Sequence, residues 1–208
     1  MNARQLTLAK SLVFLACLGP LARLVALGAG AGAGLGANPV EFVTRSTGTW
    51  TLVMLCITLS ITPLRRITGW NALIRLRRML GLFAFFYACL HLAIYVWLDQ
   101  YFDWVAMIAD IVKRPFITAG FAGFLLMAPL AATSTKAMVR RLGRHWSELH
   151  RLVYAVALLG VLHFWWHKAG KNDLGEPMVY AAVVGALLAW RVWARVRESY
   201  SGRRRSSA

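Results

Sequence analysis

Apolar residues gather into six long runs along this chain, at about 8–28, 49–64, 79–98, 116–134, 149–167 and 177–196, separated by short polar and mostly basic segments. A helix needs roughly 20 apolar residues to cross the ~30 Å hydrocarbon core of a bilayer. Five runs meet that length, and the second is the shortest. Lipid offers a backbone no hydrogen-bond partner, so spans of this kind are helical. The pattern predicts an all-α integral membrane protein, a six-helix transmembrane bundle forming a single domain over 1–208 with a basic, disordered tail at 197–208. Segments 29–48 and 99–115 are the longest predicted loops, and neither an internal repeat nor a soluble domain is legible.

Composition supports this picture: 59% of the 208 residues are hydrophobic, against about 45–50% in soluble domains. The net charge of +16 would suggest nucleic acid in a soluble protein, but here it alternates with the spans. Eighteen of the 24 Lys and Arg residues fall on the side that holds both chain ends, which excludes a nucleic-acid reading and places both termini in the cytoplasm. Arg65, Arg66, Arg75, Arg77 and Arg78 form one such basic segment, suited to anionic lipid headgroups. The start of the chain resembles a signal peptide, with the small-residue stretch AGAGAGLGA after an apolar run. The even span count and the charge bias favour retention of that first span. Cys17, Cys56 and Cys89 all lie inside spans, which suggests small apolar packing residues rather than disulfides or a zinc site.

Candidate chemistry rests on histidine. His145 and His167 flank the fifth span and read as interfacial, with Trp165 and Trp166 as part of an aromatic belt. His91, His150 and His163 lie within spans, where ionisable groups usually face the bundle interior and mark function. His91 follows Arg78 by 13 residues and His163 follows His150 by 13, each about 20 Å of helix. His91 and His163 thus share a depth in the outer half, where two imidazoles can grip a haem iron from both sides and favour electron transfer. His150 has no histidine partner at its depth, only Arg77 and Arg78, whose forks suit a haem propionate or another acidic cofactor. On an ideal helix His150 and His163 point about 140° apart, so a single stripe would need a local bulge, or the two serve different sites.

RRMLGLFAFFYACLHLAIY (77–95), WSELHRLVYAVALLGVLHFWW (146–166) and ITPLRR (61–66) resemble the MsrQ (YedZ) family of the ferric-reductase-like transmembrane superfamily. The resemblance covers spans two to six. It implies a haem b subunit in the bacterial inner membrane, multi-pass, that takes electrons from the quinone pool. The electrons would pass to a periplasmic molybdopterin-containing subunit that reduces methionine sulfoxide in oxidised proteins. It further implies haem iron ligands at His91, His163 and His150, with Arg77 and Arg78 beside a cofactor, and FMN, although no phosphate-cradling glycine loop is evident.

This chain would then be an electron-transfer subunit rather than the catalytic one. A ferric or flavin-linked haem reductase of the same superfamily is the near alternative; its flavin and nicotinamide chemistry would have to come from another chain. A histidine proton-relay transporter lacks the mid-span carboxylates such relays use. The outer aromatic cluster Tyr101, Phe102 and Trp104 suits either partner docking or an interfacial belt.

Overall fold

A computed structural model describes the backbone of residues 2–206 and the side chains of residues 2–199. In chain order the helices are α1 (Ala3–Gly28), α2 (Pro39–Thr68), α3 (Arg77–Ile94), α4 (Trp104–Lys113), α5 (Pro115–Ala132), α6 (Lys136–Leu142), α7 (Arg144–Leu149), α8 (Leu152–Ala169) and α9 (Gly175–Ser206). Among the described residues there is no strand. Six segments are long and apolar enough to cross a bilayer: α1, α2, α3 with its π-helical extension to Asp99, α5, α7 with α8, and α9. The chain is a multi-pass membrane protein. The expected tail from 197 onward is helical in backbone as far as Ser206, and side chains beyond Ser199 lie outside the described residues.

The bundle is built from two helix pairs, α2 with α3 and α5 with α8, closed by α9 against α8 and α2, while α1 leans on α3. Leu52, Leu55, Leu59, Leu80, Ala84, Tyr87, Val156, Ala157 and Val184 form its buried centre. The basic end holds the starts of α1, α3 and α8; the opposite end holds the starts of α2, α5 and α9.

Three expectations need correction. The second span is no short run of 49–64 but a helix of 30 residues. Its threonines hid it: Thr44, Thr47, Thr51 and Thr58 each return their hydroxyl to the carbonyl four residues back, so polar side chains cost the helix nothing in lipid. Asn38 caps its start, with Pro39 in the first turn where a missing N–H does no harm. The segment 99–115 is no open loop. It contains α4, capped by Asp103 and exposing Val105, Ile108 and Val112 along one face. The fifth span is interrupted, since α7 ends at Leu149 and α8 begins at Leu152.

Buried side chains bond the span backbone at or beside two of its prolines. Pro63 has no N–H to offer the Leu59 carbonyl one turn back; Arg191 of α9 donates to that carbonyl instead. Beside Pro20 in α1, the Tyr87 hydroxyl donates to the Cys17 carbonyl at 2.7 Å and accepts from the Leu21 N–H at 3.3 Å. At the opposite end the buried Lys168 ammonium reaches Asp173 and Glu176, pinning the α8–α9 turn. Its charge and hydrogen bond hold the Asp173 carboxyl below the usual carboxylate range.

Tyr87 is fully buried, so Tyr87→Phe removes its hydrogen bonds from α3 to the α1 backbone at Cys17 and Leu21. Thermal denaturation in detergent should show a loss of about 1–3 kcal/mol; an unchanged melting temperature would mean that α1 is not anchored there.

Candidate functional site

His91 of α3 and His163 of α8 face each other across the bundle. Their ring centroids lie 6.0 Å apart and their planes are 81° from parallel. Each ring is held from behind. Nδ1 of His91 bonds the Thr44 carbonyl of α2 at 2.9 Å, and Nδ1 of His163 bonds the Phe116 carbonyl of α5 at 2.6 Å. A carbonyl only accepts, so Nδ1 carries the proton and donates in both rings. Nε2 is then the unprotonated nitrogen on each, with its lone pair available to a metal.

Two glycines make these bonds possible. A Cβ on Gly48 would lie 3.0 Å from Cε1 of His91, and a Cβ on Gly120 would lie 2.6 Å from Nδ1 of His163. Each glycine sits one turn past the carbonyl that its helix supplies. The two half-sites repeat with one offset of 72 residues: 163 minus 91, 116 minus 44, and 120 minus 48. Both pairs thus present the same device, a histidine on one helix seated over a glycine turn of the other. The sequence carried this signal as a shared Gly-to-His interval of 43 residues, too sparse to notice among apolar neighbours.

The donor set decides what the pair can hold. Two metal–imidazole bonds of about 2 Å, with half a ring on either side, put centroids about 6 Å apart. Among the described residues no group of three His, Cys, Asp or Glu converges. Two imidazoles at this separation, with no third protein ligand among the described residues, suit an iron whose other four ligands come from a macrocycle, and haem fits. The Phe116 ring lies tilted against both His163 and His167, with centroids 6.1 and 5.4 Å away. His167 is therefore half-buried behind the pair rather than headgroup-facing, whereas His145 is exposed and bonded to Glu148 at 3.3 Å.

His150 belongs elsewhere. It occupies the break between α7 and α8 at the basic end, so the ideal-helix angle to His163 does not apply. Its ring stacks on Trp146 at 3.9 Å, its Nδ1 bonds the Trp146 carbonyl at 3.0 Å, and its Nε2 is buried with no partner. Trp146 is itself tied to the Thr133 carbonyl at 3.0 Å. Arg77 is half-buried and close enough to feel the charges of His150 and Arg191 and the Tyr154 ring oxygen, while Arg78 is exposed. Of the two arginines, Arg77 is the one whose charge reaches His150. Arg191 and Tyr154 were missed, because an arginine near the end of the last span reads as one more positive-inside charge.

A family model for the ferric reductase like transmembrane component matches residues 47–161, just over half of the chain. That stretch begins beside Gly48 and contains His91 and His150. The chain belongs to the MsrQ family of ferric-reductase-like transmembrane proteins. Proteins named protein-methionine-sulfoxide reductase heme-binding subunit MsrQ are similar along nearly the whole length. The one from Ralstonia nicotianae is 63% identical over 87% of this chain and 83% of its own. That from Bordetella pertussis is 59% identical over 95% and 96%, and that from Herminiimonas arsenicoxydans 57% over 94% and 89%. No solved structure matches the chain.

The close glycine contacts make a graded prediction. Gly120→Ala drives a methyl into the His163 ring and should break its bond to Phe116. The strain, about 1–3 kcal/mol, corresponds to roughly 5- to 150-fold weaker haem retention. Gly48→Ala meets its ring at a longer distance and should lose less. Haem per chain after purification measures both; wild-type haem in Gly120→Ala would show that His163 needs no such seat.

Proposed function

We propose that this chain is the haem b electron-transfer subunit of a methionine-sulfoxide reductase system in the bacterial inner membrane. Quinol would supply the electrons, and a periplasmic molybdopterin-containing subunit would receive them to repair oxidised methionines. The opposition of His91 and His163, each with Nδ1 tied to a carbonyl, is the observation that carries this reading. The printed names of the relatives, heme-binding subunits of a protein-methionine-sulfoxide reductase, agree with it.

Bound haem supplies reversible one-electron chemistry, which suits a relay between a two-electron quinol and a two-electron acceptor. The rest belongs to this chain's residues. His91 and His163 would bind the iron from both sides and leave no position for oxygen or substrate. The Thr44 and Phe116 carbonyls fix the tautomer and orientation of each ring, which limits rearrangement when charge changes. Both rings are tied to backbone rather than to carboxylates, which favours a ligand role over a proton relay. The pair lies toward the end where α5 and α9 begin, which the charge distribution assigns to the periplasm. That position shortens the path to a periplasmic acceptor. Beside it, α4 offers exposed Trp104, Val105, Ile108 and Val112 at the same end, a surface for headgroups or for the partner.

Absorption spectra of the oxidised and dithionite-reduced protein test the reading. His91→Ala and His163→Ala should each abolish the six-coordinate b-type spectrum and lower electron delivery to the partner by tenfold or more, about 1.4 kcal/mol per decade. His150→Ala should leave that spectrum in place. Absence of haem from well-folded protein prepared with haem available would overturn the proposal.

A further inference from the structure

At the end where α2 and α9 begin, a cavity of about 590 Å³ opens between α1 and α2. Arg23 of α1, Leu35 of the connecting segment, one face of α2 and Glu176 of α9 line it. Along that face Phe42, Arg45, Ser46, Thr49 and Trp50 recur at the three- and four-residue spacing of a single helix side. At about 100° per residue, the face is centred roughly 170° around α2 from Thr44, so it looks away from His91. Arg23 stands five residues before Gly28, and Arg45 six residues after Pro39. Both therefore lie about 7–9 Å in from the helix ends, the depth at which headgroups meet hydrocarbon. Among the described residues α1 leans on α3 and approaches α2 at few points, so direct helix packing does not close the gap.

The charges in this cavity are unevenly matched. Glu41 sits one turn before Arg45, where the two could pair, but it bonds Lys171 at 2.7 Å and Asn38 at 3.3 Å instead. Glu176 lies 3.6 Å from the buried Lys168. Among the described residues neither Arg23 nor Arg45 forms an ion pair or a side-chain hydrogen bond. Two hydroxyls are unengaged as well. Thr44, Thr47, Thr51 and Thr58 return theirs to the carbonyl one turn back. Ser46 and Thr49, on the cavity face of the same helix, have no hydroxyl partner among the described residues. The cavity thus presents unengaged donors, two guanidiniums and two hydroxyls, while lysines hold both of its carboxylates. Donors of this kind recognise an oxyanion, and Arg forks match phosphate oxygens in two-point contacts. A quinol does not suit the site, because its oxidation releases protons and needs a free base. A haem propionate would lie on the other side of α2.

We propose that this cavity binds the phosphodiester of a phospholipid from the leaflet at this end, held by Arg23, Arg45, Ser46 and Thr49. Charged side chains within spans face protein or a polar cavity and mark a site, and here two of them converge from different helices. Their depth, with the Phe42 and Trp50 rings that favour the membrane interface, selects a lipid over a free phosphate ion. The lipid takes the place of direct packing between α1 and α2. It braces the two turns of α2 whose far side carries Thr44 and Gly48, the seat of His91. The inference does not depend on the electron-transfer reading above.

The test uses the full chain in detergent, stripped of bound lipid and titrated with phosphatidylethanolamine that carries a photo-reactive acyl chain. Diacylglycerol with the same chains, inorganic phosphate and a short-chain quinol are the competing probes. Mass spectrometry counts the lipid bound per chain and maps the cross-linked peptides. Saturable binding with cross-links on α1 and α2 beside the cavity is expected. Arg23→Gln and Arg45→Gln should each bind at least about tenfold more weakly, the loss expected for one charge-assisted hydrogen bond. Arg23→Lys, which keeps the charge, should fall between. Arg141→Gln, at the basic end, should bind as the wild type does. None of the three competing probes should displace the lipid. Wild-type affinity in both glutamine variants overturns the inference. Displacement by diacylglycerol would reveal an apolar groove, by inorganic phosphate a free-anion site, and by the quinol a quinol site; each overturns it too. If the glutamine variants do not fold, as judged by their melting transitions, Ser46→Ala and Thr49→Val decide. Each should weaken binding several-fold, and wild-type affinity in both would sink the proposal.

Discussion

The arrangement of this bundle depends on two hydrogen bonds from imidazole N–H groups to helix carbonyls. A helix carbonyl is already engaged within its own ladder, so a side chain reaches it only where the neighbouring helix comes close. Gly48 and Gly120 remove the Cβ atoms that would prevent that approach. Each bond couples a ring angle to a helix–helix distance: α2 sets His91, and α5 sets His163. Packing and site geometry are therefore one property, and the 6.0 Å ring separation follows from how α2–α3 and α5–α8 meet.

The same economy of polar groups shapes the rest of the spans. In lipid an unpaired backbone group costs several kcal/mol, and each proline creates one. Arg191 meets the Pro63 break from α9, and Tyr87 of α3 bonds the α1 backbone at Cys17 and Leu21 beside Pro20, so these places become tethers between elements. Tyr87 performs this with a neutral hydroxyl. Arg191 performs it with a charged guanidinium, which also donates to the Tyr154 hydroxyl. The end where α5 and α9 begin thus holds the imidazole–carbonyl pairs and the Lys168 ion pairs, and the basic end holds Arg191.

Much of this was legible in the sequence. Apolar run length gave the six crossings, and equal spacing from the basic segments put His91 and His163 at one depth. The polar start of α2 was hidden because threonine satisfies itself within a helix, which composition cannot reveal. Reading 99–115 as a loop overlooked the turn-and-cap chemistry of Asp103 and the spacing of Val105, Ile108 and Val112. His150 sits in the break between α7 and α8, stacked on Trp146 and apart from the His91–His163 pair, so the ideal-helix angle could not relate it to His163. Gly48, Gly120 and Arg191 stayed invisible for a common reason: their roles are defined by what lies across the bundle, at separations of 43 to 132 residues along the chain.

The most direct measurement on the central pair is low-temperature electron paramagnetic resonance of the ferric protein. Axial imidazoles held 81° apart leave the iron orbitals nearly degenerate, and the expected result is a highly anisotropic low-spin signal that disappears in both His91→Ala and His163→Ala. A high-spin signal, or an ordinary rhombic low-spin signal that survives either substitution, would contradict haem ligation by this pair.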